Sequence, residues 1–205
     1  MANTNKTINI DGVDLFGDCL SQATLIVKQV MPSHFANATP DPEWDVRDLT
    51  SHMIAILESV PATLSGSALE AKDEVSDDAD VDAPEDDLSA RWQQAADRTE
   101  AAISEIDFED TVLHGEQQIT VESLLIELAG DLLIHAWDLG EAIGMPVRFS
   151  PSVAEAVMET TVVPNRLMLN SHTLFTESID PPANADLQAR LLALFGRSYA
   201  WRTAS

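Results

Sequence analysis

The chain has 205 residues, enough for one well-filled core with a modest appendage and too few for two full domains. Its 35 acidic residues against 11 basic ones give a net charge of -24, which repels phosphate backbones and excludes nucleic-acid binding through a basic face. Hydrophobic residues make up 45% of the chain, the mark of a globular protein. No run approaches the ~18 apolar residues of a membrane span. The opening stretch from Met1 to Lys6 lacks the basic start and apolar core of a signal peptide, so no membrane partner and a cytoplasmic location are expected.

Leu15, Phe16, Cys19, Leu20, Ala23, Ile26, Val27 and Val30 recur at helical spacing, and Pro32 ends the pattern, so a first helix is expected from about Asp11 to Met31. Cys19, the sole cysteine, lies on its apolar face and reads as a buried, inert thiol. A loop with Pro40 and Pro42 leads to a second helix with Asp45 at its N-cap, running to about Pro61. Asp48 suits the third helical position of that start, where negative charge meets the positive helix end. It also lies four residues before His52, which makes it a candidate to orient that imidazole.

Glu70 to Asp87 holds ten acidic residues and one lysine. It reads as a solvated loop without the spacing of a calcium-binding hand. A third helix is expected over about Leu88 to Ile106. Asp107 to Thr120 reads as a connection whose β-branched run near Ile119 is too brief for a sheet of its own. His114 within it is a candidate to line a site mouth, against the plainer reading of a surface-loop histidine. Val121 to Ile143 is the fourth helix, stopped by Gly144. Ser150-Pro151 opens another through about Val162, halted by Pro164, and Asn165 to Pro182 reads as irregular. Ala185 to Phe195 is the last helix, with Gly196 as its stop. The fold class is therefore all-α: a four-helix bundle over residues 1–145 with a smaller C-terminal helical extension, 146–205, packed on it.

The fourth helix carries the chemistry. Asp131 and His135, four residues apart, have Cβ atoms about 5–6 Å apart on one helix side and can reach a single metal ion through bonds of roughly 2.0–2.2 Å. The same spacing also suits a plain ion pair. The third ligand has to come from elsewhere, and His52 on the second helix is the candidate. Two imidazoles and one carboxylate leave coordination positions open, and zinc, nickel and iron(II) all accept such a set. The chain lacks a glycine-rich phosphate loop, a Gly-x-Ser-x-Gly elbow, a His-Glu-x-x-His pair and a Cys-x-x-Cys pair, so nucleotide hydrolysis, serine hydrolase and zincin chemistry have no support.

Trp44-Asp45-Val46-Arg47-Asp48-Leu49-Thr50-Ser51-His52, followed by Asp131-Leu132-Leu133-Ile134-His135-Ala136-Trp137-Asp138-Leu139-Gly140, resembles the mycothiol-dependent maleylpyruvate isomerase-like proteins of actinobacteria, within the DinB-like metal-binding superfamily. The ending Leu191 to Trp201 is similar to the close of that family's chains. The resemblance implies an up-down-down-up bundle with a divalent metal on His52, Asp131 and His135, zinc before nickel or iron, and an open position for a low-molecular-weight thiol such as mycothiol. The implied activity is a thiol-dependent isomerisation or S-transfer on a small electrophile, with Arg197 available for a carboxylate-bearing substrate. Where the isomerases carry Glu this chain has Asp131, one methylene shorter. The rival class is a non-enzymatic helical module, metal- or ligand-binding and dimeric, with a structural metal. Arg197 has a rival reading too, as a surface ion-pair partner, and Trp137 reads as core or interface rather than as a stacking platform.

Overall fold

The computed structural model describes residues 11–66, 87–115, 117–159 and 178–201. Its main elements are four helices, α1 (Gly12–Val27), α2 (Val46–Leu64), α3 (Leu88–Ser104) and α4 (Val121–Ala142). Each starts where a short oxygen-bearing side chain satisfies a free backbone N–H. Asp11 accepts from Val13, Asp45 from Asp48, Asp87 from Ala90 and Thr120 from Ser123. Helix α1 lies along α4 and α2 along α3, and contacts of α2 with α4 and of α1 with α3 close the square. The all-α expectation holds.

Two polar contacts lock this square. Trp92 on α3 donates its indole N–H to the Thr24 hydroxyl of α1 at 2.9 Å, and the Thr99 hydroxyl donates to the Leu57 carbonyl of α2 at 2.9 Å. The second explains a departure from the sequence expectation, since α2 runs through Pro61 to Leu64 instead of stopping there. Proline has no N–H to offer the carbonyl four residues back, which is that of Leu57. Thr99 takes the missing place, and burial of Val60 and Leu64 holds the last turn.

The connection between α3 and α4 corrects another expectation. Thr111–His114 (β1) and Gln117–Thr120 (β2) pair antiparallel, with His114 opposite Gln117, so the brief β-branched run does form a two-stranded sheet. Gly115, next after β1, has φ 61°, the positive φ that tight hairpin turns demand.

Helix α4 is the axis of the molecule. Every residue from Ala129 to Gly140 is buried, where a one-faced amphipathic helix would expose half of them. The remaining sides are covered by the hairpin and the C-terminal segment. Gly144, at φ 74°, turns the chain back along α4. A Cβ on Gly140 would sit 2.5 Å from Val147 Cγ2 and 2.6 Å from the Met145 carbonyl oxygen, so only glycine permits this approach. Two short helices follow, α5 (Pro151–Val157) and α6 (Leu187–Leu194). The described α-helical part of α5 ends earlier than the expected Val162, and Pro164 lies outside the described residues, as does most of the acidic run and of the irregular 165–182 stretch. Gln188 on α6 donates to the Val147 carbonyl and accepts from the Phe149 N–H, and Leu191, Leu192 and Phe195 enter the same core as the bundle. Cys19 is fully buried within that core, and burial pushes its thiol up to about 12, with Asp18 adding to the effect, which leaves it inert as expected. Among the described residues no helix is long and apolar enough to cross a membrane.

Candidate metal centre

Residue 52 lies two turns into α2, and residues 131 and 135 face it from the middle of α4. One ligand atom from each of His52, Asp131 and His135 falls within 4.8 Å of the others. Two bonds of roughly 2.0–2.2 Å span at most ~4.4 Å, so shifts of a few tenths of an ångström bring all three onto one ion. His135 Nε2 is 3.4 Å from Asp131 Oδ1, and the two imidazole rings stand perpendicular with centroids 5.3 Å apart. His52 Nε2 and both Asp131 oxygens are buried without a hydrogen bond among the described residues. Buried polar atoms are nearly always satisfied, so three orphans pointing at one place fit the donor set of a cation site. Trp44, just before the α2 cap, covers it, its ring 4.3 Å from that of His52 and 5.7 Å from that of His135.

The other face of His135 is built differently. Its Nδ1 meets Asp138 Oδ2 at 3.2 Å, so with Asp138 ionised that nitrogen donates and Nε2 is the one turned to Asp131 and His52. Asp138 in turn accepts from the Arg197 guanidinium at 3.0 Å and 3.2 Å, and Arg197 also donates to Asp41 at 2.8 Å and to the Phe195 carbonyl at 3.0 Å. All four groups are buried. A carboxylate holding the far nitrogen of a ligand histidine fixes its ring and raises its basicity.

The electrostatics follow this division. Burial alone would strip the proton from His135, but the carboxylates of Asp131 and Asp138 outweigh it and raise the imidazole to about 9. His52 moves the other way. Burial lowers it and so does neighbouring His135, against the weaker pull of Asp131 and Asp41. Arg197 is desolvated too, yet Asp138 and Asp41 hold its charge and lift its pKa further.

The remaining sequence candidates fall in distinct places. Asp48 is exposed in the first turn of α2, its own N–H donating to Asp45. His114, at the end of β1, has Nε2 3.5 Å from Glu127 Oε1. Glu127 stands one turn before Asp131, so the hairpin is tied to the side of α4 that carries the site. The bond to Glu127 raises the His114 pKa, burial opposing it. Side-chain exposure runs 27% at Glu127, 9% at Asp131 and 0% at His135, which puts the approachable end of the site toward the hairpin. Arg197 is no surface residue. It is 1% exposed and engaged with two carboxylates, which corrects the surface ion-pair expectation. Trp137 is core, as expected.

Sequence reasoning missed Asp138 and Asp41. Asp138 is three residues past His135, a spacing that puts it on the same helix side, and that signal was available. Asp41 had none, because its partner lies 156 residues away.

Fold and site together define a helical bundle with three residues on two facing helices, His52, Asp131 and His135, that could hold a metal ion. The chain belongs to the family described as Mycothiol maleylpyruvate isomerase N-terminal domain, matched over residues 16–140, which takes in His52, Asp131, His135 and Asp138 but not Arg197. The mostly helical architecture, with its one small hairpin among the described residues, agrees with a DinB-like bundle. No curated protein and no solved structure matches the chain.

Proposed function

We propose that His52, Asp131 and His135 hold a divalent cation, zinc before nickel or iron(II), and that the site uses a low-molecular-weight thiol, mycothiol by family membership, to act on a small electrophile. The observation that carries this reading is the convergence of one ligand atom each from His52, Asp131 and His135 within 4.8 Å, with His52 Nε2 and the Asp131 oxygens buried and without a hydrogen bond among the described residues. An Asp131–His135 ion pair without a cation leaves His52 Nε2 and an Asp131 oxygen unaccounted for. When bound, the cation supplies Lewis acidity that lowers the pKa of a coordinating thiol.

The protein's own groups do the rest. Asp138 keeps Nδ1 of His135 protonated and its Nε2 aimed inward. Arg197 gives the buried Asp138 carboxylate two charge-assisted hydrogen bonds. Asp131 presents two buried oxygens, of which one suffices as a ligand, leaving the other to accept the proton the thiol sheds. Trp44 shields the imidazoles from water. His114, with Glu127 beside it, stands at the rim as a substrate contact. Asp131 is a shorter carboxylate than the Glu of the isomerases that this sequence resembles, so the cation would sit closer to α4 or in a shifted geometry, which counts against maleylpyruvate isomerisation itself. A structural cation is the rival reading, favoured by the deep burial of Asp131 and His135.

The test is metal content of tag-free wild type and His52→Ala, followed by mycothiol added to the Co(II)-substituted protein. One bound metal in wild type, almost none in the variant and a thiolate-to-cobalt absorption band support the proposal. A Co(II) spectrum that ignores the thiol turns the site into a structural one, and equal metal in both proteins removes His52 from it.

A further inference from the structure

A cleft of about 190 Å³ opens at the C-terminal end of α4, walled by Trp137 and Glu141 of α4, by Pro146, Val147 and Arg148 of the returning segment, and by Tyr199. None of the three metal-site side chains borders it, so it is a separate feature. Gly140 lets Val147, one of the cleft walls, close against the helix.

Two of its walls carry donors that meet no carboxylate among the described residues. Trp137 is 1% exposed and its indole N–H has no acceptor among the described residues. Such a group is rare and calls for an explanation. Arg148 has no carboxylate within ion-pair distance among the described residues. Its guanidinium lies 5.4 Å from the centre of the Tyr199 ring and donates to the Tyr199 hydroxyl. In a chain with 35 acidic residues and 11 basic ones, an arginine at a cleft that is met by an aromatic ring rather than by a carboxylate keeps its charge available. Pro146, Val147 and the Tyr199 ring supply apolar surface between these donors.

Glu141 sets the limit on what can enter. Its carboxylate, inside a molecule of net charge -24, disfavours a dianion such as phosphate. One negative charge, spread over two oxygens, matches a guanidinium and one N–H. The volume equals about six waters at ~30 Å³ each, which suits an acid the size of benzoate. We infer that this cleft binds a small organic monocarboxylate, its carboxylate on Arg148 and the Trp137 N–H and its body against Pro146, Val147 and Tyr199.

The experiment follows the indole N–H resonance of Trp137, identified by its loss in Trp137→Phe, while sodium benzoate is titrated at fixed ionic strength with and without zinc(II). The resonance is expected to move to saturation at millimolar benzoate in both conditions, with binding weakened roughly tenfold in Arg148→Gln and tightened in Glu141→Gln. Neutral benzamide and inorganic phosphate are expected to leave it in place. An unmoved resonance at roughly 50 mM benzoate, far above a millimolar dissociation constant, would overturn the inference. So would equal movement with benzamide, or unchanged affinity in an Arg148→Gln protein with a native-like amide spectrum. Movement only with zinc(II) present would put the acid on the cation and overturn it too, whereas a protein that takes up no metal leaves the cleft untouched.

Discussion

His135 separates two unlike surroundings. Behind its Nδ1, Asp138, Arg197 and Asp41 form a closed ionic cluster in which the guanidinium meets both carboxylates, and the whole is shut away from water. In front of its Nε2, atoms of the same chemical types are buried too, yet His52 Nε2 and the Asp131 oxygens have no hydrogen bond among the described residues. Burial is common to both sides, so burial does not mark function. Saturation does: a cluster that answers its own charges holds the fold and fixes a ring, while one that leaves them unanswered has room for a ligand.

The largest effect should come from opening the closed side. Arg197→Met leaves Asp138 and Asp41 buried without a counter-charge and should cost about 3–5 kcal/mol, read as a lower denaturation midpoint. A loss near zero would mean that the cluster does not hold the extension on the bundle. Next, Asp138→Asn should keep the fold but weaken metal binding about 10- to 100-fold, measured by competition with a chelator. If affinity is unchanged, the two sides of His135 are not coupled.

The open side has a pH signature. The metal-free imidazole of His135 titrates near 9, above its ordinary 6.5. Its protonated form therefore adds stability that is fully present below 6.5 and fades as pH rises through about 9. A coordinated His135 has given up that proton, while His52, pushed down by burial, has none to give at neutral pH. Metal uptake near pH 7 should thus release about one proton, visible in calorimetry across buffers of different ionisation heat, and stabilisation by metal should grow with pH. Uptake without proton release would place the cation off His135. The smallest effect is expected at Asp48, where Ala should cost about 0.5 kcal/mol through the helix dipole and leave metal affinity unchanged. A marked drop in affinity would give Asp48 the orienting role that the closed side now claims.

Much of this was legible in the sequence because it is local. Asp11, Asp45 and Ser150 announce their helices by capping chemistry, and Asp131 and His135 share a side of α4 by helical period alone. The partnership with His52 was legible only through the combination of a histidine two turns inside a helix and the family-like motif around it. What escaped depends on contacts that spacing cannot express. Pro61 continues its helix because Thr99 from another helix answers the Leu57 carbonyl. The hairpin exists because Gly115 turns two four-residue strands that have little propensity of their own. Arg197 looked like a surface residue near the end of the chain because its separation of 59 positions from Asp138 conceals their meeting.

That last separation has a consequence for biosynthesis. Synthesis runs from the N-terminus, so His52, Asp131 and His135 all leave the ribosome well before residue 197 is added. Until then Asp138 and Asp41 lack their counter-ion and the His135 ring has no firm backing. A cation offered to the nascent chain would meet a loose, weakly discriminating set of ligands, so loading of the finished geometry would wait until residue 197 has emerged and packed against Asp138 and Asp41.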